Sequence, residues 1–130
     1  MYKNSRFIVC GGGTGGHLFP ATAIISELSK KGAEIIYMGS KYGIESIKIK
    51  NQKAVFLDIK GFHRTISISN ILDNLKFPFR IIKSIIRSLN IIYKYNPQLV
   101  IGTGGYSSGI PLISAIILGK KILIQEQNSY

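Results

Sequence analysis

The sequence predicts an α/β fold, a doubly wound parallel sheet of the Rossmann-like kind. Three observations carry that expectation. Five short apolar runs are separated by helical segments; glycine or proline punctuates the joins; and no repeat, low-complexity tract or long linker interrupts the 130 residues. Strand one is Arg6 to Cys10. The next segment, Leu18 to Lys31, has Leu18, Ala21, Ile25 and Leu28 at helical spacing, with Pro20 in the expected first turn and Gly32 after the last. Ile35 to Met38 gives strand two, Ile44 to Lys50 a short helix, and Ala54 to Ile59 strand three. Ile71 to Tyr95 reads as a long helix that Pro78 begins or kinks. Gln98 to Ile101 and Lys121 to Ile124 complete the strands, with a helix over Gly109 to Leu118 between them. The usual order for such a chain, three-two-one-four-five, makes strands one and four neighbours whose connections leave to opposite faces. Ligands bind at that switch point, beyond the carboxyl ends of the strands.

At this length roughly two thirds of the unfolded surface can be buried, so one domain with a real core is expected. Lys and Arg number 17 against 6 acidic residues, a formal charge of +11 that favours anionic partners: nucleic acid, acidic lipid or a phosphorylated substrate. A solvated lysine surface accounts for part of that excess equally well. The single cysteine, Cys10, reads as a small core residue and points to a reducing compartment. The apolar stretch near the N-terminus is too short for a signal-peptide core, and Ile110 to Leu118 is far below the roughly 20 residues that cross a bilayer.

Chemistry concentrates at three strand ends. Gly11-Gly12-Gly13-Thr14-Gly15-Gly16-His17 follows strand one, Gly102-Thr103-Gly104-Gly105-Tyr106-Ser107-Ser108 follows strand four, and Gln125-Glu126-Gln127-Asn128 follows strand five. Glycine lets backbone N–H groups approach a ligand, and the helix N-terminus behind each glycine loop favours an anion. Two such loops facing one another suit a ligand, or a ligand pair, with more than one phosphate. Either loop taken alone is also explained as a tight strand-to-helix turn. Gly11-x-Gly13-x-x-Gly16 satisfies the dinucleotide fingerprint as well, but strand two ends in Gly39-Ser40-Lys41, without the carboxylate that would hold a ribose diol. A dinucleotide-binding module therefore stays open as an alternative, as does a non-catalytic membrane-binding remnant.

His17 and Glu126 are the candidates for proton transfer. A histidine at a helix start meets the positive end of the dipole, so a neutral ring able to accept a proton is expected. Capping by His17, and an orienting role for Glu126, are the plainer readings of each. No His/Cys cluster at metal spacing and no Ser-His-Asp arrangement emerges. On the long helix, Leu72, Leu75, Phe79, Ile82, Ile86, Leu89 and Tyr93 share one stripe, expected to face the sheet. Lys76, Arg80, Lys83, Arg87 and Lys94 share another. Phe77, Ile81, Ile85 and Ile92 widen the apolar arc. The expectation is that Phe77, Ile81 and Ile85, with Lys76, Arg80 and Lys83, meet an anionic membrane surface; a buried crossover helix with snorkelling cations is the alternative.

Gly12-Gly13-Thr14-Gly15-Gly16-His17 with Phe19-Pro20, Gly102-Thr103-Gly104-Gly105-Tyr106 and Glu126-Gln127-Asn128, in this order and spacing, resemble the MurG family. These bacterial transferases move N-acetylglucosamine from UDP-N-acetylglucosamine to lipid-linked muramyl-pentapeptide pyrophosphate in peptidoglycan synthesis. The resemblance implies the N-terminal, acceptor-side half of a GT-B glycosyltransferase, inverting, metal-independent and without a cofactor. It implies a peripheral position on the cytoplasmic face of the bacterial plasma membrane and no nucleic-acid partner. By position, Thr14, Gly15, Gly16 and Asn128 match residues that touch the UDP-sugar. Gly104, Gly105 and Tyr106 match the loop that meets the acceptor pyrophosphate. His17 becomes the first candidate for general base and Glu126 the second. Gln125 departs from the family, many of whose members have histidine there. The family's second domain, which holds the uracil and most of the donor, has no counterpart in residues 1–130. The expectation is a domain that turns over only when a separate C-terminal half is supplied.

Overall fold

The computed structural model describes residues 4–49, 52–59 and 68–125, with the side chains of 68–77 outside the description. The elements are β1 (Arg6–Cys10), α1 (Gly15–Lys30), β2 (Glu34–Ser40), α2 (Glu45–Lys48), β3 (Ala54–Leu57), α3 (Ile68–Tyr95), β4 (Leu99–Gly102), α4 (Tyr106–Ile117) and β5 (Ile122–Ile124). All strand pairings are parallel and the order is β3-β2-β1-β4-β5, as the alternation of strands and helices predicts.

Both faces of β1 are covered, which is why it reads as an unbroken apolar run. Because side chains alternate across a strand, Phe7 and Val9 enter one core layer with Leu18, Ala21 and Ile25 of α1. Ile8 and Cys10 enter the other with Ile92 of α3 and Ile110 and Ala115 of α4.

Two helices start about three residues earlier than their prolines suggest. Pro20 and Pro111 lie inside α1 and α4, and it is Gly15 and Tyr106 that open them. The first turn of each helix is therefore built from the glycine-loop motif itself. Pro78 is likewise inside α3, which it does not begin.

The long helix presents the opposite face from the one expected. Ser84, Ser88 and Ile92 are buried, and Ile81 and Ile85 pack half-buried against the core layer beneath. Ile81 and Ile85 thus face the sheet and not outward. The outward apolar stripe is Phe79, Ile82, Ile86 and Tyr93, each more than half exposed. Small serines on the inner face let the helix lie close to the sheet, with Ser84 donating to the Asp58 carbonyl at 3.0 Å. Lys83 and Arg87 are exposed and Arg80 is half-exposed beside that stripe; the side chains of Lys76 and Phe77 lie outside the described residues. No helix among the described residues is long and apolar enough to cross a membrane.

Candidate functional site at the β1 and β4 switch point

β1 and β4 run side by side from Phe7 opposite Leu99 to Cys10 opposite Gly102, so the loops that follow them emerge together. Their backbones are joined directly. The Gly12 N–H donates to the Gly104 carbonyl at 3.3 Å, and the Thr103 N–H donates to the Cys10 carbonyl at 2.9 Å. Gly105, with φ 84° and ψ 164°, occupies a conformation essentially reserved for glycine. A Cβ there would run into the Gly12 carbonyl oxygen. The ring of Tyr106 lies across Gly13, where a Cβ would come within 2.6 Å of it. Gly13, Gly104, Gly105 and Tyr106 therefore form one continuous lip of the crevice, with Tyr106 42% exposed and open to a ligand.

Thr14 is the N-cap of α1, exposed, with an extended backbone and no side-chain capping bond. Its hydroxyl leaves the mouth of the helix uncovered, and Gly15 and Gly16 supply the first-turn amides there. Such a terminus attracts anions.

His17 stands in the first turn of α1, half-buried between the two loops. Its Nδ1 lies 3.3 Å from the Thr103 carbonyl oxygen. A carbonyl only accepts, so Nδ1 carries the proton and donates; in the neutral ring Nε2 then holds the free lone pair. In return the Thr103 hydroxyl donates to the His17 carbonyl at 2.7 Å. The ring's orientation and tautomer are both set by a residue of the opposite loop.

Beneath the first loop two side chains from the β2 end hold its backbone. The Tyr37 hydroxyl donates to the Gly11 carbonyl at 2.5 Å. Burial, and next the charge of Glu45, push that phenol above its ordinary range, so it stays a neutral donor. Glu45, fully buried, accepts from the Gly13 N–H and the Ser40 N–H, both at 2.9 Å. Cys10 is a buried thiol pushed up to about 12 by burial, in keeping with its reading as a core residue.

The structure brings His17 and the two glycine loops together. Thr103 as a hydroxyl donor, Tyr37 on a strand and Glu45 on a short helix are functional residues that the sequence pattern alone does not single out. The available signal for Glu45 was a carboxylate between Ile44 and Ile47 with glycines at 39 and 43 beside it. The N–H of Gln125 donates to the Gly102 carbonyl at 2.8 Å, which brings the end of β5 beside the second loop. Glu126 and Asn128 lie outside the described residues.

Residues 7–130 match the model of the glycosyltransferase family 28 N-terminal domain. A relative from Flavobacterium psychrophilum is 41% identical over 129 residues, which are 96% of this chain and 34% of that protein. One from Christiangramia forsetii is 41% identical over 133 residues, 99% of this chain and 35% of that one. Both are named UDP-N-acetylglucosamine–N-acetylmuramyl-(pentapeptide) pyrophosphoryl-undecaprenol N-acetylglucosamine transferase. The chain thus spans about a third of the length of the curated relatives it matches. Among solved structures, Acinetobacter baumannii MurG superposes with a TM-score of 0.77 at 28% identity, over 96% of this chain and 36% of that one. The Streptomyces sp. SF2575 glycosyltransferase SsfS6 superposes at 0.62 with 16% identity, over 95% and 39%, a likeness of fold alone. With its sheet order, its paired glycine loops and a family match running from Phe7 to Tyr130, the chain belongs to the glycosyltransferase family 28 N-terminal domain family.

Proposed function

We propose that this domain is the acceptor- and membrane-side part of an N-acetylglucosaminyltransferase that converts an undecaprenyl-pyrophosphoryl-muramyl-pentapeptide with UDP-N-acetylglucosamine as donor. The observation that carries the reading is the His17 ring, held by Thr103 between two glycine loops with Nε2 as its free base. In the proposed step the acceptor's sugar hydroxyl gives its proton to Nε2 of His17 as its oxygen bonds to the anomeric carbon. The bond to UDP breaks, and UDP leaves with the electron pair. Glu126 is the second candidate for the base. Amides at the mouths of α1 and α4 offset phosphate charge. Thr14, Gly15 and Gly16, with Asn128, are assigned to the UDP-sugar; Gly104, Gly105 and Tyr106 are assigned to the acceptor pyrophosphate.

The relatives' names support the substrates, and the one-third coverage supports a second, donor-holding domain supplied from outside residues 1–130. The exposed Phe79, Ile82, Ile86 and Tyr93 stripe, with Lys83 and Arg87 beside it, supports peripheral docking on an anionic membrane, at the cytoplasmic face where a nucleotide-sugar is available. A dinucleotide reading has less support. β2 runs out at Ser40 and Lys41, and the carboxylate that follows, Glu45, is turned inward onto the loop backbone.

The test is transfer from UDP-N-acetylglucosamine to a lipid-linked muramyl-peptide by this chain, with and without a separately supplied C-terminal half of the MurG type. Transfer only with the added half is expected. No transfer in either arm, from a folded chain, overturns the catalytic reading.

A further inference from the structure

We propose that Glu45 is a positioning residue that sets the shape of the first glycine loop, and thereby its affinity for a pyrophosphate-bearing ligand. This rests on the reading of that loop as a phosphate cradle.

Glu45 is fully buried, and its carboxylate is satisfied by backbone N–H groups from two separate segments, Gly13 in the loop and Ser40 at the end of β2. The bonds that hold it come from backbone amide donors, one to each carboxylate oxygen. The space it fills is shaped for it. A Cβ at Gly12 would come within 2.6 Å of the carboxyl carbon, and one at Gly39 within 2.8 Å of Cγ; one at Gly43 would strike the carboxyl group itself. A buried carboxylate enclosed by three glycines, with each oxygen bound to a different amide, fixes two backbone segments relative to one another.

The consequence for the loop is directional. The Gly13 N–H points inward to Glu45, and the Gly12 N–H is taken by Gly104. The amides left at the ligand side are those at the start of α1, Gly15 and Gly16. Glu45 thus decides which N–H groups face the crevice. Tyr37, bound to the Gly11 carbonyl, holds the preceding residue from the same side.

A buried negative charge under an anion site opposes the anion through space. The two roles of Glu45 therefore have opposite signs. If it acted only as a charge, Glu45→Gln would tighten anion binding. As a positioning group, the same change removes one carboxylate acceptor and sets an NH2 donor against a backbone N–H, and binding weakens.

The experiment follows the amide signals of the whole chain by NMR during titration with inorganic pyrophosphate. Wild type should show saturable shifts at Gly15 and Gly16. Glu45→Gln should weaken that binding by roughly ten-fold, the scale of one lost charge-assisted hydrogen bond, with the rest of the spectrum retained. Exchange of the Gly13 amide with deuterated solvent should accelerate in the same variant. Glu45→Asp, which keeps the charge but not the reach, should weaken binding as well. Equal or tighter binding by Glu45→Gln overturns the proposal. If neither variant folds, wild type decides: rapid exchange of the Gly13 amide, on the scale of an exposed loop, overturns it, and core-like protection upholds the hold on the loop. Absence of any response of wild type to pyrophosphate overturns the phosphate reading itself, an outcome visible before any variant is made.

Discussion

Thr103 and His17 exchange hydrogen bonds across the switch point: the threonine hydroxyl donates to the histidine carbonyl at 2.7 Å, and the histidine Nδ1 lies 3.3 Å from the threonine carbonyl. Thr103 is almost wholly buried, so its hydroxyl has no water to turn to. Thr103→Val keeps the shape and removes the donor. The expected loss is about 1 kcal/mol of stability, read by denaturant unfolding. Transfer activity in the two-half assay should fall by more than the unfolded fraction explains, because the loops lose one of the bonds that keep the ring in place.

His17→Ala should lower the rate of transfer by about 10²- to 10⁴-fold, the usual contribution of a positioned general base. The effect should fall on kcat far more than on the KM for the UDP-sugar. A drop confined to KM would leave His17 a binding role and remove it as the base.

Gly105→Ala places a methyl group against the Gly12 carbonyl and forces a non-glycine residue to φ 84° and ψ 164°. The backbone conformation alone costs about 1–3 kcal/mol. Chemical denaturation should show at least that loss, whereas alanine at Gly109, inside α4 where a Cβ meets nothing within 4 Å, should cost no stability and raise it by up to about 1 kcal/mol.

Cys10 gives the protein an alkaline liability. Its thiol is raised by burial from 9.0 to about 12. Below pH 9.0 it is protonated in both folded and unfolded chains and stability is unaffected by it. Above that, the unfolded chain releases the proton first. Each pH unit up to about 12 then costs the folded state about 1.4 kcal/mol. Unfolding titrations from pH 8 to 11 should therefore fall more steeply for wild type than for Cys10→Ala, and native Cys10 should resist alkylation at pH 8. Equal slopes for the two proteins would remove Cys10 as the cause.

Neighbouring isoleucines on α3 should behave differently. Ile86→Ala, on the exposed stripe, should change stability by less than about 0.5 kcal/mol yet weaken binding to anionic vesicles roughly ten-fold. Ile85→Ala, on the sheet side, should cost about 1 kcal/mol or more of stability and leave vesicle binding of the folded protein unchanged. Vesicle sedimentation and thermal unfolding measure the pair; equal vesicle binding by both variants would argue against the membrane face.

The same helix marks the limit of what the residues reveal in advance. Strand order and loop placement were legible because glycine and proline punctuate each join and the apolar runs are short. The orientation of α3 was not. Two stripes fit its periodicity, and the one that packs contains Ser84 and Ser88, which an apolar pattern passes over; they are buried because their small side chains permit close approach. Glu45 escaped for a related reason. Its burial depends on glycines at 12, 39 and 43, which the chain brings together only once β1 and β2 are paired. His17 could be singled out, but the identity of its basic nitrogen required Thr103, 86 residues away.

Because α1 opens at Gly15, His17 is a residue of a helix and not of a loop. Its backbone moves only as the whole rod moves, and the rod is seated by Leu18, Ala21 and Ile25 against the sheet. The aim of the imidazole is therefore inherited from hydrocarbon packing as far as about two helical turns away. Trimming Ile25 should blur the ring's position while leaving every polar group of the crevice chemically intact, a loss of accuracy with no missing part.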